Sequence, residues 1–298
     1  MMDDLRDDDP RRVGPYTLRH RLGSGSTGTG YLARSDVGRA VVLKLVRPGP
    51  AEDTGFRSRL RNEVAHARAM SWMSTTPVLN AEPDGEPPWV ASAFVAGVPL
   101  TRAVAECGPL PEPVLVALAR ELAAALLIVH GAGLIHRGLA PAKVLLAPDR
   151  VHLLERSVAA RARHGTASTA DPAALPGSPA YLAPEQTQGR GLTPAADMFS
   201  LGSLLYFAAA GRAPFGEGPV AELPARIAKG TPVLGFLPPV PAELVGGCLV
   251  KDPNARATAR QVLEFIDRRG PAPLPEGWLP PVLTAEIAAQ AAASVQPA

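Results

Sequence analysis

Residues 16–46 read YTLRHRLGSGSTGTGYLARSDVGRAVVLKLV, and this stretch decides how the rest of the chain is read. Leu18, His20 and Leu22 fall on the opposite parity from Thr17 and Arg19, the period-two pattern of a strand with one face turned inward. The strand runs into GSGSTGTG, a glycine-rich turn, and a second strand follows. Residues 40–46 (AVVLKLV) form a β-branched apolar run broken once, by Lys44, which predicts a third strand carrying one inward-pointing cation.

Outward from this stretch, Phe56, Leu60, Val64 and Ala67 recur at helical spacing and place Glu63 beside the apolar stripe, so a helix lies next to the sheet. Residues 89–95 predict a further strand, ending at Gly97. The character then turns helical. Pro111 and Pro113 open a long apolar helix that Gly131 and Gly133 close. Residues 144–146 and 151–154 flank Ala147, Pro148, Asp149 and Arg150, which is hairpin chemistry. Residues 161–178 read as an exposed loop, and a helix follows with Thr193 as its cap, Pro194 at its first position and Gly211 at its end. From Pro271 the chain is proline-rich and finishes in a short alanine-rich helix. Residues 1–14, with Asp3, Asp4, Asp7, Asp8 and Asp9 and no apolar periodicity, read as a solvated acidic tail.

The 298 residues are 46% hydrophobic and 19% charged, an ordinary globular balance, and a net charge of +2 gives no electrostatic reason for nucleic-acid or membrane binding. Cys107 and Cys248 lie far apart without a CxxC spacing, so reduced thiols in a cytoplasmic setting are expected. The polar start MMDDLRDDDPRR does not read as a secretory signal. The apolar run at 114–130 is interrupted by Arg120 and Glu121 and reads as a buried helix, with no membrane role. His130 and His136 are six apart, and a hydrogen-bonded core role for His136 is favoured over metal ligation.

Taken in order, these signals resemble the eukaryotic-like (Hanks-type) serine/threonine protein kinases of bacteria, and among them the soluble actinobacterial ones whose lead-in is DPRRxGPYxL, here DPRRVGPYTL. The resemblance covers residues 13–270. It implies an α+β, bilobal fold: a small antiparallel-β lobe with one main helix over 15–95, a larger mainly helical lobe over 96–270, and a proline-rich extension over 271–298. Gly23, Gly25 and Gly28 match the glycine-rich loop over the nucleotide phosphates, Lys44 the third-strand lysine, and Glu63 its helix partner. Ser92 falls at the gatekeeper, with Ala93, Phe94 and Val95 as the hinge. Ala183, Pro184 and Glu185 match the APE motif, Arg256 the arginine that pairs with it, and Asp197 the aspartate that opens the long buried helix.

The resemblance also marks what is missing. Where the family pattern reads HRDLKPxN, residues 136–143 read HRGLAPAK, so Gly138 replaces the catalytic aspartate, Ala140 the phosphate-contacting lysine and Lys143 the metal-binding asparagine. Where it reads DFG, Glu155, Arg156 and Ser157 stand. Glu155 can ligate a cation, but magnesium tolerates displaced oxygens poorly, so Mg binding is expected to be weak or absent. Gly30 and Val42 stand where the family has valine and alanine against the adenine, which reshapes the slot without closing it. The expectation is a degenerate kinase, or pseudokinase, acting in signalling through protein partners such as an active kinase, whose site either grips ATP without turning it over or is filled by an internal ion pair of Glu155 with Lys143 or Lys44. The alternative is an active serine/threonine kinase using rearranged groups such as Glu155. Thr166, Ser168, Thr169 and Ser178 could accept phosphate from a partner, with Arg137 as the receiving cation, although such loops are most often merely flexible.

Overall fold

The computed structural model describes residues 2–25, 28–70, 76–154 and 179–295. The chain divides into two compact units, one built from residues up to Gly97 together with the chain from Thr284, the other from residues between Val98 and Leu283.

The first unit carries strands β1 (Asp3–Asp4), β2 (Arg12–Val13), β3 (Tyr16–Ser24), β4 (Gly28–Ser35) and β5 (Ala40–Val46), helices α1 (Pro48–Glu52) and α2 (Thr54–Met70), and strands β6 (Val78–Glu82) and β7 (Trp89–Ala93). They form one antiparallel sheet in the order β1-β3-β4-β5-β7-β6, with β2 also paired to β3. Alternation along each strand supplies two apolar faces. On one, Val46, Val78 and Val90 pack against Phe56, Leu60, Val64 and Ala67 of α2. On the other, Tyr16, Leu18, Tyr31, Ala33, Val41, Leu43, Trp89 and Ala91 cluster, with Tyr16 edge-on to Trp89 at 5.5 Å. Each fully buried side chain of this kind contributes about 1.5–3 kcal/mol.

That second face corrects the expectation of a solvated tail. Asp3 and Asp4 pair with Arg21 and His20, Arg12 and Val13 pair with Thr17 and Tyr16, and Leu5 and Val13 pack on the cluster. Two apolar residues this far apart leave no period to read, and the carboxylate that would forbid burial, Asp9, is paired. Gly14 makes the turn onto the sheet: its φ is +53°, and a Cβ there would stand 3.0 Å from the Trp89 ring.

The second unit carries β8 (Val98–Pro99), α3 (Leu100–Cys107), α4 (Glu112–Gly131), β9 (Val144–Leu146), β10 (Val151–Leu153), α5 (Pro184–Thr187), α6 (Ala195–Ala210), α7 (Leu223–Lys229), α8 (Pro239–Cys248) and α9 (Ala259–Asp267). A small antiparallel sheet runs β10-β9-β8. Helix α6, apolar but for Asp197, Ser200 and Ser203, is buried from Ala196 to Ala208, which makes it the axis of the unit. Helix α4 is long and apolar enough to cross a membrane, but it packs against α6 and α9 and buries Leu118, Leu122, Leu126 and Val129. Pro194, expected as the first helical residue of α6, is itself the cap, so the Thr193 side chain does not serve as one; the Thr193 carbonyl accepts from the Ala196 N–H instead.

The final helix, α10 (Pro281–Val295), has 15 residues and is longer than the short piece expected. Within the first unit, Gln290 Oε1 accepts the Gly97 N–H at 3.0 Å, and Arg34 donates to the Val295 carbonyl at 3.2 Å.

Candidate functional site

In the first unit the glycine turn joins β3 to β4, and its glycines have different causes. Gly23 has φ +143°, outside the range of ordinary side chains. Gly28 lies so close to β5 that an added Cβ would run into the Leu45 carbonyl. Gly25 has neither constraint: its N–H donates to the Gly28 carbonyl at 2.8 Å, and among the described residues a Cβ there would meet only that oxygen, at 4.0 Å. Among the described residues, the sheet does not demand a glycine at 25.

Lys44 stands on β5 opposite Gly30 of β4 and Val90 of β7. It shares the parity of Val46, so it lies on the side that α2 covers, half-buried, as Glu63 is on α2. Val42 faces Leu32 and Ser92 across the sheet. Ala93 ends β7 with its N–H on the Pro77 carbonyl at 2.9 Å, and Phe94 and Val95 follow, half-buried.

In the second unit the anchor is Asp197, 1% exposed at the start of α6. Its Oδ2 accepts the His136 N–H at 2.7 Å and contacts His130 Nε2 at 3.0 Å, while Oδ1 accepts the Arg137 N–H at 2.7 Å. These bonds hold Arg137 at φ +62°, which is costly for a residue with a Cβ. The chain is thereby fixed as it enters Gly138, after which Leu139 and Ala140 are buried and Pro141–Lys143 make one 3-10 turn. The Lys143 carbonyl accepts the Leu154 N–H at 2.7 Å, tying this loop to the β9-β10 hairpin. The loop is thus held in detail, yet Gly138 and Ala140 bring no polar side chain to it. Glu155, Arg156, Ser157, Thr166, Ser168, Thr169 and Ser178 lie outside the described residues.

Glu185 on α5 and Arg256 form a two-pronged pair at 2.7 and 3.2 Å, with side chains 3% and 0% exposed. Arg256 also donates to the carbonyls of Val250, Lys251 and Ala195. With its polar atoms so matched, the pair is a staple whose loss on one side costs roughly 3–5 kcal/mol, because the other charge is left buried.

Sequence reasoning missed two groups here. One is Lys251, whose Nζ lies 3.8 Å from the Phe215 ring centroid. The other is Asp9, which the lead-in DPRRVGPYTL contains but whose partners, Arg21 and Tyr31, only the folded sheet brings together.

Residues 16–265 match the protein kinase domain. The chain belongs to the protein kinase family. Its relatives in that family include the "Probable serine/threonine-protein kinase PkwA" of Thermomonospora curvata, 40% identical over 286 residues, which are 95% of this chain and 38% of that protein. The serine/threonine-protein kinase AfsK of Streptomyces griseus is 39% identical over 296 residues, covering 96% of this chain and 36% of the relative. The serine/threonine-protein kinase PknL of Mycobacterium tuberculosis is 30% identical, covering 81% and 62%. The chain therefore spans less than two thirds of each of these kinases.

The kinase family's nucleotide is ATP, and in the first unit Lys44 is a cation on β5, which pairs with the strand that leaves the glycine turn.

Proposed function

We propose that this chain is a kinase-family signalling module of the cytoplasm that binds ATP and protein partners without efficient phosphoryl transfer. One observation supports the reading: Asp197 fixes the loop through the His136 and Arg137 N–H groups, and the next residue is Gly138, which has no side chain and which the resemblance matches to the family's acceptor-orienting aspartate. Residues 134–146, LIHRGLAPAKVLL, contain no carboxylate at all. Loss of a general base typically costs ~10²–10⁴ in rate, and Ala140 removes a phosphate contact as well. By the resemblance, Lys143 stands where the family has its metal-binding asparagine, so nucleotide binding with little dependence on magnesium is part of the proposal. Gly23, Gly25, Gly28, Lys44, Glu63, Ala93 and Val95 are its nucleotide-facing residues. A protein partner, such as an active kinase, would read the module's bound state.

A second reading, an active serine/threonine kinase with Glu155 among rearranged catalytic groups, is favoured by the names of relatives 39–40% identical to this chain. Purified protein and its Lys44→Ala variant, each incubated with γ-labelled ATP and a generic acceptor with and without magnesium, separate the two. Our reading expects ATP to raise the melting temperature of the parent chain and not of the variant, with label transfer at background. Transfer that disappears with Lys44→Ala would establish the second reading.

A further inference from the structure

Asp9 is a carboxylate 3% exposed, on a stretch that otherwise reads as solvated. Its Oδ2 accepts Arg21 Nε at 2.6 Å and the Arg6 N–H at 2.8 Å; its Oδ1 accepts Arg21 Nη2 at 2.8 Å and the Tyr31 hydroxyl at 2.6 Å. Arg21 and Tyr31 face each other across β3 and β4, the two strands that the glycine turn joins. The next pairs along are Gly23 with Gly30 and Ser24 with Thr29. Arg21 Nη1 reaches Ser24 Oγ at 3.4 Å, and Ser24 Oγ bonds Thr29 Oγ1 at 3.2 Å. A string of polar contacts therefore runs from Asp9 through Arg21 and Ser24 to Thr29, on the strand of Tyr31, which returns to Asp9.

The position of this string matters. The β3-β4 ladder shifts register between Arg21 and Gly23, as it also does between Leu18 and His20, so backbone pairing is interrupted next to the turn. Side chains supply the rigidity that the ladder lacks there, and the arginine is held by two bonds in a planar fork. A glycine turn loses much conformational freedom when it closes on a ligand, so any device that orders it beforehand strengthens binding.

We propose that Asp9 is a positioning residue for the phosphate-binding turn: through Arg21 and Tyr31 it braces the two flanks of the turn, Arg21–Ser24 and Thr29–Tyr31, from the outer face of the sheet. The proposal rests on the ATP-binding reading above and adds to it a role for the N-terminal segment. A simple staple for that segment would lower stability alike with every ligand. A brace for the turn weakens binding of phosphates and leaves the adenosine moiety nearly untouched.

The test uses the full chain as Asp9→Asn and Asp9→Glu, with Asp36→Asn, which removes the exposed Arg12–Asp36 pair on the same sheet, as control. Calorimetric titration with ATP and with adenosine is run beside amide hydrogen exchange over residues 20–30. Loss of a hydrogen bond to a charged group predicts that Asp9→Asn weakens ATP about tenfold, with adenosine within about twofold of the parent. Exchange at Gly25 and Gly28–Gly30 should accelerate, Asp9→Glu should recover part of both effects, and Asp36→Asn should show neither. Should Asp9→Asn fail to fold, Tyr31→Phe removes one bond of the set and keeps the ring. Equal losses for ATP and adenosine, or exchange in the turn unchanged from the parent, would overturn the proposal. A parent chain that binds no ATP removes the nucleotide reading and the phosphate half of this one; the exchange measurement, which needs no ligand, then decides the brace by itself.

Discussion

Lys251 donates to the Ile227 carbonyl at 2.6 Å and lies over the rings of Phe215 and Phe199, at 3.8 and 5.3 Å from their centroids. Burial, with the neighbouring Arg256 adding repulsion, lowers its pKa from 10.5 to about 8. The unfolded chain then holds a proton that the folded chain has shed between about pH 8 and 10.5, so this lysine penalises folding below that window and the penalty fades as pH rises through it. Melting curves of the parent and Lys251→Met at pH 7.5, 9 and 10.5 should show the parent gaining on the variant as pH increases; a constant difference would mean that the amine stays charged. Nothing in the string CLVKDPNARAT separates this lysine from a solvated one, because the rings that bury it come from α6 and from the loop after it. Asp197, Glu185 and Arg256 were legible for the opposite reason: each sits in a motif whose spacing fixes its role, and their bonds fall where that spacing puts them.

At the level of elements, the strands and helices with a sustained period were readable, and β5 occupies the run AVVLKLV from end to end. Those made by their partners were not: β1 is two aspartates, residues with little strand preference, paired only because β3 offers an edge. Helix α9 could have been found, since Thr258 and Gln261 spell a capping box and the structure forms it. The glycine turn itself supports a prediction. Gly28→Ala should destabilise the chain by about 1–3 kcal/mol, because its Cβ meets the Leu45 carbonyl, which cannot withdraw without breaking the β4-β5 ladder. Gly25→Ala should stay within roughly 0.5 kcal/mol of the parent in the absence of nucleotide and yet lose affinity for ATP. Urea titrations with and without ATP check both, and similar losses of stability for the two variants would refute the separate causes assigned to them.

For the whole molecule, the order of motifs carried the fold, and the kinase domain match over residues 16–265 agrees with it. The ends of the chain were not legible in the same way, since nothing in an alanine-rich run such as AEIAAQAAAS says which surface it will cover. On helix α10, Gln290 accepts the Gly97 N–H, and Leu283 and Ile287 are 1% and 4% exposed. A chain stopped at Pro280 forfeits that burial, worth about 1.5–3 kcal/mol per side chain, and should unfold at lower urea by an amount equal to roughly 3 kcal/mol or more. An unchanged midpoint would show that the helix rests on the lobe without stabilising it.

At the other end, β1 forms one border of the large sheet, and both its residues are exposed carboxylates. A border this short and this acidic gives an approaching second copy almost no rungs to extend and repels it by like charge. Fusing a tag directly onto Leu5 would uncover the flank of β3 beside it, and material prepared that way would be prone to stack border to border into aggregates.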